Sequence, residues 1–260
     1  MGGLVKDMRD FRDESNDIGG EGNMERSNQN IAKHWLEASS VHGMPVEPKG
    51  FQLFSNEHPS TWPMDIAYKA AQFENQQLAD KFLRKMREAV SVEVMAANQT
   101  EILIELAHEV GLNVGEFIKH MTDGSAEKAF HEDLKLTTQY KAHGFPSFLV
   151  QYLDKAIMLR GFNRFENFKN VIDYLTGGKI QGELASATEE NIIAFIEKYE
   201  TVTPREIQDS FDLTSEEVNK KIKELEEKSY VSITPKGNGY FISMITETLF
   251  CDPNTGLCYT

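Results

Sequence analysis

Cysteine is almost missing from this chain. Cys251 and Cys258 are the two in 260 residues. Two thiols do not make a disulfide framework, so a reducing, cytoplasmic setting is the expectation. No run of eighteen apolar residues occurs, which excludes a membrane-spanning helix on sequence grounds. The opening Met-Gly-Gly-Leu-Val-Lys-Asp-Met has no apolar core of the kind a secretory signal needs. Positive charge is in deficit: 27 Lys and Arg against 41 Asp and Glu give a net charge of −14. That balance argues against general binding to nucleic acid or anionic membranes. The seven histidines (His34, His42, His58, His108, His120, His131 and His143) show no metal-ligand spacing. His131-Glu132 lacks the second His of a zinc-protease helix. A zinc site takes about four ligands, and two cysteines without a nearby His fall short. Neither a metal nor a cofactor is expected.

With 40% hydrophobic and 26% charged residues, the composition is that of an ordinary globular protein. The length fits one large domain or two to three small modules. Residues 7–23 are rich in Asp, Gly, Asn and Arg and read as a surface loop. A helix is expected over 27–42, where Ile31, Trp35 and Ala38 recur at helical spacing, with Gly43 as its stop and Pro45 forbidding continuation. A helical block follows the loop at 58–63. Leu78, Phe82 and Met86 share one face. Thr100 is the expected cap of a helix carrying Ile102, Leu103 and Leu106. Asn113 and Glu116 form a capping box, and Ser125 is the expected cap of the last helix, with Phe130 and Leu134. These apolar stripes read as core.

Gly144-Phe145-Pro146-Ser147 then marks a return to a sheet. Residues 147–153 read as a strand, Asp154-Lys155 as a turn and 156–159 as its partner. Asn163 and Glu166 are expected to cap a helix with Phe165, Phe168, Ile172 and Leu175 on one side, ended by Gly177-Gly178. A small-residue linker, 182–187, precedes three short helices and a hairpin, the order of a winged helix-turn-helix. From 183 to 240 there are seven Lys or Arg against thirteen Asp or Glu, a balance of −6. Phosphate contact needs a basic face, so a protein-contact or structural role is favoured for this module.

Taken in order, Met1-Gly2-Gly3-Leu4, Asn16-Asp17-Ile18-Gly19-Gly20, the Trp35 helix, the helix start between Pro63 and Ala71, and Gly144-Phe145-Pro146-Ser147 resemble the DsbA family of thiol-disulfide oxidoreductases, in particular its FrnE-like cytoplasmic branch. The resemblance covers about residues 1–180. It implies an incomplete thioredoxin fold with an all-helical insertion; with the C-terminal winged helix-turn-helix read above from the residue pattern, an α/β chain is expected. The expected domains are 1–62 with 141–180 (thioredoxin-like), 63–140 (helical insertion), 183–246 (winged helix) and 247–260 (a tail with the cysteine pair).

The family's chemistry rests on a Cys-x-x-Cys at a helix N-terminus, where a thiolate is stabilised and attacks a substrate disulfide. A cis-Pro loop beside it offers backbone groups to an extended substrate. Pro146 matches that position, so a cis Phe145-Pro146 bond and a substrate groove at Phe145, Pro146 and Ser147 are implied. This sequence contains no Cys-x-x-Cys. The family's first strand, dithiol and first helix come before a segment like Met1-Gly2-Gly3-Leu4. The expectation is therefore a chain that begins after the catalytic motif, with apolar surface or a raw strand edge left uncovered. Cys251 and Cys258, separated by turn-forming Asp252-Pro253-Asn254-Thr255-Gly256, are the remaining candidates for disulfide exchange. The partner expected on this reading is a thiol or disulfide protein substrate, with no nucleic acid and no membrane; the sequence does not fix an oligomeric state. The alternative is a non-catalytic protein-binding module using the Pro146 groove and the winged helix. A glutathione-dependent isomerase, on the same superfamily, needs a nucleophile from the same missing segment.

Overall fold

The computed structural model describes residues 4–20, 23–245, 250–251 and 258–259. Two compact units divide the chain: residues 1–41 with 46–182, and residues 42–45 with 183–260.

In the first unit, the segment after Leu4 runs beside the 59–61 stretch. Thr61 N donates to Val5 O at 2.9 Å and Met8 N donates to Pro59 O at 2.8 Å. These bonds bury Val5 and Met8. The polar 7–23 stretch is not structureless. It holds β1 (Arg12–Asp13) paired antiparallel with β2 (Ile18–Gly19). Gly19 sits at φ +92°, and a Cβ there falls 2.0 Å from the Phe11 carbonyl oxygen, so only glycine fits.

Helix α1 (Met24–His42) starts three residues earlier than its apolar spacing indicates. Buried Ser27 and Asn28 fix that first turn together with buried Met24. Ser27 Oγ accepts from Gly19 N at 2.9 Å, and Asn28 bonds the backbone of Phe54. Gly43 at φ +74° ends the helix as expected.

The helical block contains α2 (Trp62–Glu74), α3 (Gln76–Ser91), α4 (Thr100–Glu109), α5 (Val114–Thr122) and α6 (Ser125–Gln139). Ala67, Ala70 and Ala71 are fully buried on α2. Their small size lets α2 pack closely on α3, α5 and α6. Phe82, Leu103, Leu106, Phe117 and Phe130 fill the space between. Asn113 caps α5, accepting from Gly115 N and Glu116 N, but the expected capping box is corrected: Asn113 N donates to Glu74 Oε1 at 2.7 Å, and Glu116 instead accepts from Lys119 Nζ at 2.8 Å. The expected caps at Thr100 and Ser125 are corrected. Gln99 and a left-handed Gly124 hold those positions with no side-chain cap, and each hydroxyl residue lies just inside its helix.

The chain then forms β3 (Ser147–Tyr152), β4 (Lys155–Arg160) and α7 (Phe165–Thr176). The turn is one residue earlier than expected. Tyr152 pairs with Lys155, leaving Leu153-Asp154 as the loop, with Leu153 at φ +52°. A two-residue hairpin loop requires positive φ, and here a leucine supplies it. Arg164 replaces Asn163 as the residue before α7, with no side-chain cap. Asn163 is used elsewhere, donating to Gly161 O at 2.9 Å.

The second unit runs α8 (Glu189–Tyr199), β5 (Thr201–Val202), α9 (Pro204–Phe211), α10 (Ser215–Glu227), β6 (Val231–Lys236) and β7 (Gly239–Met244). The sheet order is β5-β7-β6, and the short β5 was not visible in the residue pattern. Thr203 and Thr214 each close a capping box, with Glu206 and Glu217. Ile192, Ile196, Ile207, Val218, Ile222 and Ile242 make the core. Beyond it, β8 (Phe250–Cys251) pairs antiparallel with β9 (Cys258–Tyr259).

Candidate functional site

The turn into β3 carries the candidate site. Phe145-Pro146 is a cis peptide bond. Three tethers hold this turn. Gly161 N donates to Pro146 O at 2.8 Å, at the open end of the β3–β4 ladder. Arg160 Nη1 donates to Lys141 O at 2.6 Å. Ser147 Oγ donates to Gly144 O at 2.5 Å. Phe145, Pro146 and Ser147 follow one another through this turn, with the cis bond between the first two. Arg160, Gly161 and Asn163 fix the loop but carried no signal of it, because hairpin register alone gives them that task.

The surface around the loop is apolar. Phe145 is 51% exposed, and Phe148, Phe162 and Phe165 are also exposed. The β3–β4 ladder has hydrophobic residues on both faces. Phe148 pairs with Leu159 and Val150 with Ile157; Leu149 pairs with Met158 on the other face. Phe148 meets Phe168 of α7 edge-on, at 5.0 Å between ring centroids. Strands apolar on both faces are built for burial on both. Leu149 nevertheless remains 38% exposed. Among the described residues, no third strand joins β3 and β4.

Other features lie away from the loop. A groove of about 560 Å³ runs between α1 and residues 48–56, lined in part by Glu25, Gln29, Phe51 and Gln52. Asn28 also lines it, but its amide is committed to Phe54. Asp65, on the first turn of α2, is buried. Burial pushes its carboxyl up to about 7, and the neighbouring Asp133 adds to the shift. Asp133 itself meets Lys69 Nζ at 3.1 Å. No sequence pattern singled out Asp65, since an acid on a first helical turn is ordinary. His143 is exposed beside the loop. Cys251 and Cys258 belong to the second unit, where their Cα atoms are partners across the β8–β9 pair. Their side chains lie outside the described residues.

A ββα end with a cis-proline turn, joined to a helical block, is a thioredoxin-type arrangement. The family model described as Thioredoxin matches residues 21–170. The chain belongs to this thioredoxin family, the fold of the DsbA-type thiol-disulfide oxidoreductases. Among solved structures, it is similar to a "putative protein disulfide isomerase from Nitrosomonas europaea". The TM-score is 0.53 at 17% identity, over 60% of this chain and 76% of the other. Among curated proteins, it is 26% identical over 219 residues to the "ClpXP adapter protein SpxH" of Halalkalibacterium halodurans, covering 83% of this chain and 70% of that protein. It is also 26% identical over 224 residues to the protein of the same name in Bacillus subtilis, covering 84% and 73%.

Proposed function

We propose that this chain is a protein-binding adapter built on a thioredoxin fold. In this reading, it holds a client polypeptide for an ATP-dependent protease of the ClpXP type. The single observation that carries the reading is the exposed apolar surface around cis-Pro146. Phe145 on the turn, Phe148 on β3, Phe162 after β4 and Phe165 at the start of α7 are exposed, while Phe148 also packs edge-on against Phe168. Several large apolar side chains exposed on neighbouring segments are what a protein-contact site offers. The turn and its neighbours, residues 144–165, contain no cysteine, so the site offers shape and apolar contact but no thiol of its own. The similarity to proteins named as ClpXP adapters supports the same reading.

The second unit is read here as a winged helix-turn-helix that contacts protein. The order α8, α9, α10, β6, β7 supports it. Lysines on α10 are matched by acids one turn on: Lys220 lies 3.9 Å from Glu224, and Lys223 lies 3.7 Å from Glu227. A helix face neutralised in this way is poorly suited to a phosphate backbone. A cytoplasmic setting goes with this reading.

The test is reconstituted proteolysis. Purified ClpXP and ATP are incubated with a soluble extract of the source organism, with and without the full chain, and protein half-lives are measured. A client degraded at least about tenfold faster only when the chain is present supports the adapter. No protein accelerated by the chain overturns it.

A second reading is a DsbA-like thiol-disulfide oxidoreductase of the FrnE-like branch. The family fold favours it, and so does the register of Cys251 opposite Cys258. Insulin reduction by the chain, abolished in a Cys251→Ser, Cys258→Ser double variant, supports this reading. Absence of activity, or activity unaffected by the change, sinks the cysteine pair as catalyst.

A further inference from the structure

We propose that the turn His42–Pro45 is an acid-sensitive latch of the second unit: protonation of His42 releases the turn from α9 and β7. This goes beyond the adapter reading and does not rest on it.

Four consecutive residues build the latch. His42 is the last residue of α1, and His42–Pro45 belongs to the second compact unit. Met44 N donates to His42 Nδ1 at 3.0 Å, which closes the turn. Gly43, at φ +74°, lies against the stem of Arg205 on α9: a Cβ there would stand 3.2 Å from Arg205 Cδ. Met44 Sδ accepts from Thr203 Oγ1 at 3.4 Å, and Thr203, the residue that caps α9, is fully buried. Pro45 is buried against Gly239, the first residue of β7: a Cβ on Gly239 would stand 2.8 Å from Pro45 Cγ. The turn is therefore seated on both α9 and β7, and its own closure rests on one imidazole nitrogen.

That nitrogen can close the turn in one protonation state alone. A backbone N–H donates to a ring nitrogen that keeps its lone pair, so Nδ1 is bare and the neutral ring carries its proton on Nε2. An imidazolium has a proton on both nitrogens and would set a donor against the Met44 N–H.

The surroundings also oppose the cation. Burial comes first and the Arg205 charge second in holding His42 below its ordinary 6.5. Arg205 Nε donates to Asp209 Oδ2 at 2.8 Å, along α9. Glu206 of α9 accepts from Thr203 N at 2.8 Å, inside the capping box. On β7, Tyr240 donates to Asn219 Oδ1 at 3.0 Å. On α1 itself, Glu37 lies 3.5 Å from His34 Nδ1. The C-terminal end of a helix favours a cation, but burial, Arg205 and the Met44 N–H act against it and the net direction is downward.

Linkage fixes the sign. Above pH 6.5, His42 is neutral whether the turn is seated or released, and the latch holds fully. As pH falls below 6.5, the released ring takes up a proton that the seated ring refuses. The hold weakens until the seated ring is itself protonated.

The experiment follows the full chain by NMR between pH 7.5 and 5.0. It records the His42 ring titration, the Met44 methyl resonance and the protection of the Met44 amide against hydrogen exchange, corrected for the intrinsic rate. His42 should titrate below 6.5. Met44 protection should fall about threefold or more as pH is lowered, and the methyl should move towards the position of an exposed methionine. The amides of β6 and β7 should keep their protection. His42→Asn does not titrate and offers an amide oxygen to the Met44 N–H, so its protection should stay level with pH. Arg205→Gln keeps the stem beside Gly43 and removes the charge, so the His42 midpoint should rise. A His42 midpoint at or above 6.5 overturns the proposal, as does Met44 protection that ignores His42 titration. An equal fall in His42→Asn also overturns it, as does simultaneous loss of protection across β6 and β7. The wild-type titration keeps the test decisive even where a variant folds poorly.

Discussion

Asn28 bonds Phe54 in both directions: its Nδ2 donates to Phe54 O at 2.8 Å, and its Oδ1 accepts from Phe54 N at 3.0 Å. One side-chain amide thereby stands in for a neighbouring strand. Both residues are buried, so neither backbone group has water to fall back on. Asn28→Ala leaves a buried N–H and a buried C=O unpaired. A loss of about 2–6 kcal/mol is expected, from two groups at about 1–3 kcal/mol each. Asn28→Asp should cost a similar amount, because a carboxylate cannot donate to Phe54 O. Urea unfolding of both variants checks this; Asp behaving like wild type contradicts it.

Asp65 makes stability depend on pH. Its folded pKa of about 7 lies above the ordinary 3.8, chiefly because burial penalises the charged form. The folded state therefore holds a proton that the unfolded state releases. Stability is highest below about pH 4, falls as pH rises towards about 7, and stays low above that. At about 1.4 kcal/mol per unit, the loss amounts to a few kcal/mol. Asp65→Asn cannot ionise. Between pH 5 and pH 8, its urea midpoint should fall much less than that of the wild type. Equal falls in both proteins would show that the carboxyl is not the cause.

Gly19→Ala tests the β1–β2 turn. The added methyl collides with the Phe11 carbonyl, and φ +92° is strained for any residue with a Cβ. A destabilisation of about 2 kcal/mol or more is expected. Gly50, also at positive φ, has open space where its Cβ would go. Gly50→Ala should therefore cost less, about 1 kcal/mol. Thermal melts of the pair give the comparison, and a reversed order would refute the steric argument.

Phe145→Ser together with Phe165→Ser tests the cis-proline surface. Both rings are more than half exposed, so the unfolding free energy should change by no more than about 1 kcal/mol for the two surface substitutions together. Client degradation in the reconstituted protease assay should fall about tenfold or more, the scale of a contact hot spot. Full activity with both rings removed would place the client elsewhere on the chain.

The sequence made some of this legible and hid the rest for physical reasons. Helices with strong apolar stripes were visible, as was Asn113 at the start of α5, because these signals are local. The Pro146 turn was visible because Gly, Pro and a β-type run coincide within seven residues. The caps at Thr100, Ser125 and Asn163 were misplaced by one residue, since a hydroxyl or amide near a helix start is compatible with several cap positions. The start of α1 was missed because Ser27 and Asn28 are held by Gly19 and Phe54, and long-range polar pairs leave no periodic trace. β5 is two residues long and is defined by the pairing of Thr201 with Ser243 and Val202 with Ile242. Asp65 could not be recognised because its pKa comes from what surrounds it.

The two-sided apolar ladder of β3 and β4 also bears on how the molecule behaves among its own copies. Uncovered hydrophobic strand surface draws chains together, while a net charge of −14 keeps them apart. The first force is little affected by moderate salt; the second is screened within about 10 Å at 0.1 M ionic strength. Colloidal stability should therefore be a balance set by electrolyte. Light scattering should show repulsion between chains at low salt passing into attraction as salt is raised, and Leu149→Glu, which puts a negative charge on the open face of the ladder, should push that crossover to higher salt.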